Sequence, residues 1–281
     1  MENIMKWWQH IPENIDPNLF TIGSFPIRYY GLMYIVAFST VYLLVLYRLK
    51  NREYNYTKET IQDYSFQAIL GVVIGARLGY VLFYDFSYFM SSPLKIILPF
   101  DFTNGFHFTG ISGMSFHGGL LGYALATVLF CGRNNIKVWN FADLFAPAIP
   151  LGYTFGRIGN FINGELYGRV TDVAWGMYFP MDRKQQLRHP SQLYEAFFEG
   201  ICLFVILWLL RNKRPFNGFT SCLYLVGYGI ARFSIEYFRK PDDHLGFVLG
   251  PFTMGQLLCL SMILVGFILM PILHAVDKSD T

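Results

Sequence analysis

Apolar runs of about 18 to 24 residues recur along the whole of this 281-residue chain, each long enough to cross a hydrocarbon layer about 30 Å thick. Hydrocarbon offers backbone N–H and C=O groups no partner, so such runs are stable only as helices or as a closed barrel. Strands crossing a barrel are about 9–11 residues long and alternate in polarity, which these runs do not. Composition agrees: 53% of residues are hydrophobic, 15% are charged and mean hydropathy is +0.34. A soluble globule with a polar shell carries about 25% charge and is excluded. The expected fold is an all-α polytopic membrane bundle.

Cutting the runs at polar clusters gives seven spans, roughly 28–48, 64–84, 112–131, 138–158, 191–210, 219–238 and 252–274. Arg48, Lys50, Arg52, Lys58, Arg133, Lys137, Arg211, Lys213, Arg214 and Lys278 crowd short connections and the tail on one side. Lys6, Arg28, Lys95, Arg169, Arg183, Lys184, Arg188, Arg239 and Lys240 are spread over longer segments on the other. The positive-inside rule makes the dense side cytoplasmic, so the N-terminus is expected outside and the C-terminus inside. The external connections, about 85–111, 159–190 and 239–251, are rich in aromatic residues and glycine, as interfacial belts are. No repeat, heptad pattern or linker composition appears, and residues 1–281 read as one integral-membrane domain. The first 26 residues lack the apolar core and small-residue cleavage site of a signal peptide, which leaves the first span as the insertion signal.

Net charge is only +3, so no basic field points to nucleic acid. Cys131, Cys202, Cys222 and Cys259 lie in or beside apolar runs without CxxC or zinc-ligand spacing and read as small hydrophobes. No metal and no cofactor is expected.

The informative residues are those that hydrocarbon tolerates badly: Arg77, His117, Asp143, Arg157, Asn160, Asn163, Glu165, Glu195, Glu199, Arg232 and Glu236. A charge at mid-membrane costs at least about 2.5–3.5 kcal/mol on insertion scales, so such groups face a bundle interior or a watered cavity. One buried ion pair between Arg77 and Asp143 would account for both. The densest cluster is Gly156-Arg157-Ile158-Gly159-Asn160-Phe161-Ile162-Asn163-Gly164-Glu165-Leu166-Tyr167-Gly168-Arg169 at the outer end of span four. Its four glycines allow the backbone to leave helical geometry and approach a ligand, which at membrane depth implies a cavity. A glycine-rich turn with one snorkelling arginine explains Arg157 but not Asn160, Asn163 and Glu165 together.

Arg232 and Glu236 lie four apart in span six and share a helix face. They form either a self-contained pair or an arrangement in which Glu236 aims the Arg232 fork at a phosphate. His117 opens span three between Ser115-Phe116 and Gly118-Gly119. A helix N-terminus favours the neutral imidazole, which a general base requires.

The Gly156–Gly168 segment closely resembles the signature of the bacterial prolipoprotein diacylglyceryl transferases. Arg28-Tyr29-Tyr30-Gly31-Leu32-Met33-Tyr34, Gly75–Tyr84, Gly113–Gly119 and His189-Pro190-Ser191-Gln192-Leu193-Tyr194-Glu195 are similar to further family segments, so the resemblance covers nearly the whole chain. The segment between Arg169 and His189 is shorter than in some members. The resemblance implies an enzyme of the bacterial plasma (inner) membrane. Such an enzyme moves the diacylglyceryl group of phosphatidylglycerol onto the lipobox cysteine thiol of a prolipoprotein, forming a thioether and releasing glycerol phosphate. It implies activity-linked residues at Tyr30, His117, Arg157, Asn160, Glu165, Gly168, Arg232 and Glu236. In that scheme Tyr30, His117, Arg157 and Arg232 are catalytic, and Arg157, Asn160, Glu165, Gly168, Arg232 and Glu236 bind phosphatidylglycerol. Glu165 is expected to anchor an arginine rather than take a proton.

Two other classes fit less well. A transporter would show paired broken helices in related halves. An intramembrane protease would show a Gly-x-Ser-x-Gly nucleophile or an HExxH pair, and neither occurs.

Overall fold

The computed structural model describes residues 2–23, 25–83, 86–96, 100–101, 107–108, 113–240 and 247–279. The side chains of residues 2, 25, 94, 100, 101, 107, 108, 116, 117 and 247 lie outside that description. Parts of the expected connection 85–111 and the centre of 239–251 therefore fall outside the described residues.

The apolar runs are helical. In chain order the helices are α1 (Glu2–Gln9), α2 (Tyr29–Lys50), α3 (Lys58–Phe83), α4 (Phe86–Ser91), α5 (Phe116–Arg133), α6 (Val138–Phe145), α7 (Ile149–Ile162), α8 (Ser191–Glu195), α9 (Leu203–Leu210), α10 (Phe219–Ile235) and α11 (Met254–Ser279). Antiparallel two-stranded ribbons β1–β2 (Asn18–Ile22, Phe25–Arg28), β3–β4 (Phe100–Asp101, His107–Phe108) and β5–β6 (Phe247–Leu249, Phe252–Thr253) accompany them. Among the described residues four helical stretches are long and apolar enough to cross a membrane: α2, α3, the stretch Ser191–Leu210 and α11. Gly118–Arg133 and Phe219–Ile235 are shorter apolar helices. Large side chains such as Phe38 and Leu43 on α2 and Leu264 and Phe267 on α11 are exposed. That is the surface lipid-facing helices present.

The run at 138–158 is not one helix. Residues 146–148 form a turn between α6 and α7, because Pro147 supplies no backbone donor and Pro150 occupies the first turn of α7, where a missing N–H costs nothing. Ser191–Leu210 is continuous, but Ala196–Cys202 winds as a π-helix. Gly200 there packs directly on Thr154, and Thr154 Oγ1 donates to the Ala196 carbonyl at 3.2 Å, which satisfies one of the groups the wider turn displaces.

The described chain forms two compact units, residues 54–141 and residues 1–53 with 142–281. The core of the first is the α3–α5 pair. Gly71, Gly75 and Gly79 on α3 face Gly118 and Gly122 on α5; a Cβ on Gly79 would lie 2.7 Å from Gly118 Cα, and one on Gly71 2.7 Å from Gly122 O. Small residues at four-residue spacing let backbones touch where lipid supplies no hydrophobic drive. Arg77 donates from α3 to the carbonyls of Ile96 (2.8 Å), Lys95 (2.6 Å) and Gly113 (3.1 Å).

In the second unit Asp143 accepts from Gly218 N, Ser221 N and Ser221 Oγ, each at 2.8 Å. Gly218, at φ +99°, is the N-cap residue of α10 and has no capping side chain, so Asp143 supplies the missing acceptor from α6. Arg77 and Asp143 thus each have hydrogen-bond partners within their own unit. Arg48, fully buried at the end of α2, donates to Asp143 O and Leu144 O and pairs with Glu53, which Arg211 also reaches.

Candidate active site

One group of charged residues in the larger unit is drawn from α7, α8, the π-helix and α10. Tyr153, Arg157 and Asn160 occupy successive turns of α7, so spacings of four and three put them on one face. Glu195 ends α8 and Glu199 lies one turn on, in the π-helix; both are fully buried. Arg232 and Glu236 lie at the end of α10.

Glu195 is the hub. Its Oε2 lies 2.8 Å from Arg157 Nε and 3.1 Å from Arg232 Nη1, and its Oε1 lies 3.4 Å from Arg239 Nη1. Tyr153 Oη accepts from Arg157 Nε at 2.6 Å and donates to Glu199 Oε2 at 2.5 Å. Glu199 Oε1 stands 3.6 Å from Arg232 Nη1. Three guanidinium groups therefore face the carboxylates of Glu195, Glu199 and Glu236, which offsets the cost of burying any one of them. The face of Tyr153 also carries Arg157, 4.6 Å from the ring centroid.

The pair expected from the Arg232/Glu236 spacing forms, with Arg232 Nη2 3.1 Å from Glu236 Oε2. Glu236 is itself held: Thr253 Oγ1 donates to its Oε1 at 3.1 Å, and Gly255 packs against the carboxylate. Thr253 and Gln256 close a capping box at the start of α11, Thr253 N donating to Gln256 Oε1 (3.1 Å) and Gln256 N to Thr253 Oγ1 (3.3 Å). The carboxylate thus rests at a helix N-terminus, where the backbone dipoles favour negative charge.

Along the motif, Arg157 Nη1 donates to Asn160 Oδ1 (3.2 Å), Asn160 Nδ2 to Glu165 Oε1 (2.8 Å) and Asn163 Nδ2 to the same oxygen (3.4 Å). Glu165 is therefore not the arginine's anchor; that place belongs to Glu195. Gly156 and Gly159 are in regular helix, and the backbone turns left-handed only at Gly164 (φ +67°) and Leu166 (φ +58°). Gly159 serves close approach instead, a Cβ there falling 3.1 Å from Tyr30 Cδ2. Tyr30 bonds Tyr34 Oη at 3.0 Å and interacts with Asn160. Gly168 has no room for a side chain between the Phe238 carbonyl and His189, and its N–H donates to His189 O at 2.8 Å; it holds the connection between α7 and α8 against the end of α10.

Tyr30, Arg157, Asn160, Glu165, Arg232 and Glu236 all lie in the unit built from residues 1–53 and 142–281. His117 belongs to the other unit, as the second residue of α5 behind the N-cap Ser115, and its side chain lies outside the described residues. Tyr153, Arg239 and Thr253 were not singled out from sequence, and Glu195 and Glu199 only as charges misplaced in an apolar run. The four-residue spacings Tyr153/Arg157 and Glu195/Glu199 carried the signal.

The family model described as prolipoprotein diacylglyceryl transferase matches residues 17–272, which span both units and every residue of this cluster. The chain belongs to that family. Among curated relatives, a phosphatidylglycerol–prolipoprotein diacylglyceryl transferase of Chlorobaculum tepidum is 55% identical over 267 residues, covering 95% of this chain and 92% of the relative. Proteins with the same description from Legionella pneumophila (45% over 254 residues; 90% and 95%) and Campylobacter jejuni (43% over 260 residues; 92% and 93%) align over nearly the same extent. Similarity of that reach leaves no part of the described site outside the family alignment.

Proposed function

We propose that this protein is a phosphatidylglycerol–prolipoprotein diacylglyceryl transferase. It moves diacylglyceryl from phosphatidylglycerol to the lipobox cysteine of a prolipoprotein, as a single integral-membrane domain of the bacterial plasma membrane. Seven crossings, with α6 and α7 together making the fourth, put the N-terminus outside and the C-terminus in the cytoplasm. The observation that carries the reading is the joining of Arg157 and Arg232 through one buried carboxylate, inside a chain matched to the family over residues 17–272.

The reaction is a displacement at carbon. The cysteine sulfur attacks the glyceryl carbon, the C–O bond to phosphate breaks, and glycerol phosphate leaves with the bond's electron pair. Charge grows on the phosphate in the transition state, so donors fixed in advance in a dry site stabilise it most. Arg157 and Arg232 fill that role: Glu195, Glu199 and Glu236 hold them from behind, and Arg157 Nη2 has no hydrogen-bond partner among the described residues. Tyr30, Asn160 and Glu165 orient the lipid rather than react, Gly168 and Glu236 support the binding site, and His117 takes the thiol proton. A free thiol titrates near pH 8.5, so an attacking cysteine at neutral pH needs such a base.

Transfer of labelled diacylglyceryl from phosphatidylglycerol to a synthetic lipobox peptide by the purified chain tests the reading. Thioether formation with release of glycerol phosphate is expected; no transfer in a preparation that remains folded overturns it.

A further inference from the structure

Two buried amide oxygens near the motif lack donors. Asn163 Oδ1 and Gln192 Oε1 are each buried, and neither meets a donor among the described residues. Gln192 is fully buried at the start of α8.

Both amides are fixed in orientation by their nitrogen ends. Gln192 Nε2 donates to the Glu165 carbonyl at 2.6 Å, and Asn163 Nδ2 reaches the Glu165 carboxylate at 3.4 Å. Exchanging O and N in Gln192 would set two acceptors against each other at that short distance, so the assignment follows from the partner. Each carbonyl oxygen shares a carbon with its bonded nitrogen and therefore lies beside the Gly164–Leu166 turn. Buried acceptors normally find donors, and those that do not call for an explanation.

The turn is bonded into the charged cluster. Arg157 donates to Asn160, Asn160 to Glu165, and Gln192 to the Glu165 backbone, so the two oxygens lie at the far end of a short relay from the proposed phosphate clamp. Glu165 adds a further acceptor, since among the described residues only its Oε1 is engaged. The neighbourhood thus offers several acceptors to a group attached to the phosphate. A ligand suited to it donates neutral O–H bonds.

We propose that Asn163 and Gln192 form a polyol subsite that accepts hydrogen bonds from the free hydroxyls of the donor lipid's glycerol headgroup. The inference rests on the proposed transferase activity and extends it to choice of lipid. A site that hydrogen-bonds a substrate hydroxyl discriminates strongly against the analogue lacking it, because its own buried groups are then left unpaired.

The test compares phosphatidylglycerol with phosphatidylpropanol, which keeps the phosphodiester and lacks the headgroup hydroxyls, in the peptide transfer assay. The wild-type chain is expected to use phosphatidylglycerol at least about tenfold better in kcat/KM. Gln192→Met and Asn163→Leu should each lower kcat/KM for phosphatidylglycerol by about tenfold and change that for phosphatidylpropanol by less than about twofold. Equal use of both lipids by the wild type overturns the subsite and leaves the activity standing, as does an equal loss on both lipids in the variants. Transfer from neither lipid overturns the activity itself, and the subsite with it. Should the variants fail to fold, product inhibition of the wild type decides: glycerol phosphate is expected to inhibit about tenfold more strongly than propyl phosphate, and equal inhibition overturns the subsite.

Discussion

Arg157 and Arg232 meet at one atom: Glu195 Oε2 lies 2.8 Å from Nε of the first and 3.1 Å from Nη1 of the second. Two cations on helices 75 positions apart in sequence are thereby held at a fixed separation by an anion that is fully buried. Removing one partner from such an arrangement leaves charge uncompensated, which costs about 3–5 kcal/mol for a buried pair. Glu195→Gln should therefore lower both the thermal midpoint in detergent and the transfer rate. An unchanged midpoint would remove Glu195 from the role of hub.

Lysine should not replace either arginine. Arg157 uses Nε and Nη1 on different partners while Nη2 has none among the described residues, and Arg232 divides Nη1 and Nη2 between carboxylates of different helices. A single ammonium cannot reproduce that fork. Arg157→Lys and Arg232→Lys are each expected to reduce kcat by about 10²-fold or more in the peptide transfer assay, the scale for loss of a preorganised donor; wild-type turnover in both would end the clamp assignment.

His117→Gln should reduce the rate by roughly 10²–10⁴-fold, the usual range for a general base, with partial recovery at alkaline pH as the thiol ionises unaided. A near-normal rate at pH 7 with an unshifted pH profile would make His117 structural.

Gly79→Leu and Gly71→Leu should separate α3 from α5, since a Cβ alone already falls 2.7 Å from backbone of the opposite helix. Overpacking typically costs about 1–3 kcal/mol. Faster proteolysis within residues 54–141 is the expected result, and protection equal to wild type would contradict the close approach.

The connection between α7 and α8 should loosen in acid. Asp182 is buried, which raises its pKa, but hydrogen bonds from Arg188 and from the Gln186 and Lys184 N–H groups outweigh that and hold it below the usual carboxylate value. Its stabilisation is complete above the unfolded pKa and is lost as pH falls through the depressed folded value. Burial likewise lowers the pKa of His189, outweighing the opposing pull of Asp172, so its contribution also fades as pH drops below the ordinary histidine value. Amide exchange at Met177 and Arg188, which bond each other's carbonyls at 2.8 and 2.9 Å, should accelerate as pH falls from 7 to about 2 after correction for intrinsic rates, the Asp182 part of that rise lying below about pH 4. Asp182→Asn should flatten that dependence.

Much of the helical layout was legible because hydrocarbon makes each apolar run a local problem: length, composition and helix are linked residue by residue. The Arg232/Glu236 pair was legible for the same reason, lying within one turn. What escaped depends on partners distant in the chain. Asp143 looks like half of an ion pair until Ser221, in another helix, proves to need a cap. Glu165 looks like the arginine's anchor because it is near in sequence, whereas Glu195 arrives from beyond the connection between α7 and α8. The break at 146–148 was visible in Pro147 and Pro150 but concealed by the continuous hydropathy around them.

The entry to α5 has a mechanical meaning. Ser115 N donates to Ala76 O at 2.9 Å, Gly113 O accepts from Arg77, and Gly113, at φ +85°, lies under the Tyr80 ring with no space for a Cβ. Three stations on α3, at Ala76, Arg77 and Tyr80, hold Gly113 and Ser115 ahead of α5, and Ser115 Oγ passes the hold into the new helix through Gly118 N. The backbone of His117 is thus mounted on α3 rather than on a loop, and its positional precision is that of a 26-residue rod. To displace the backbone at that position, the protein must carry α3 and α5 together.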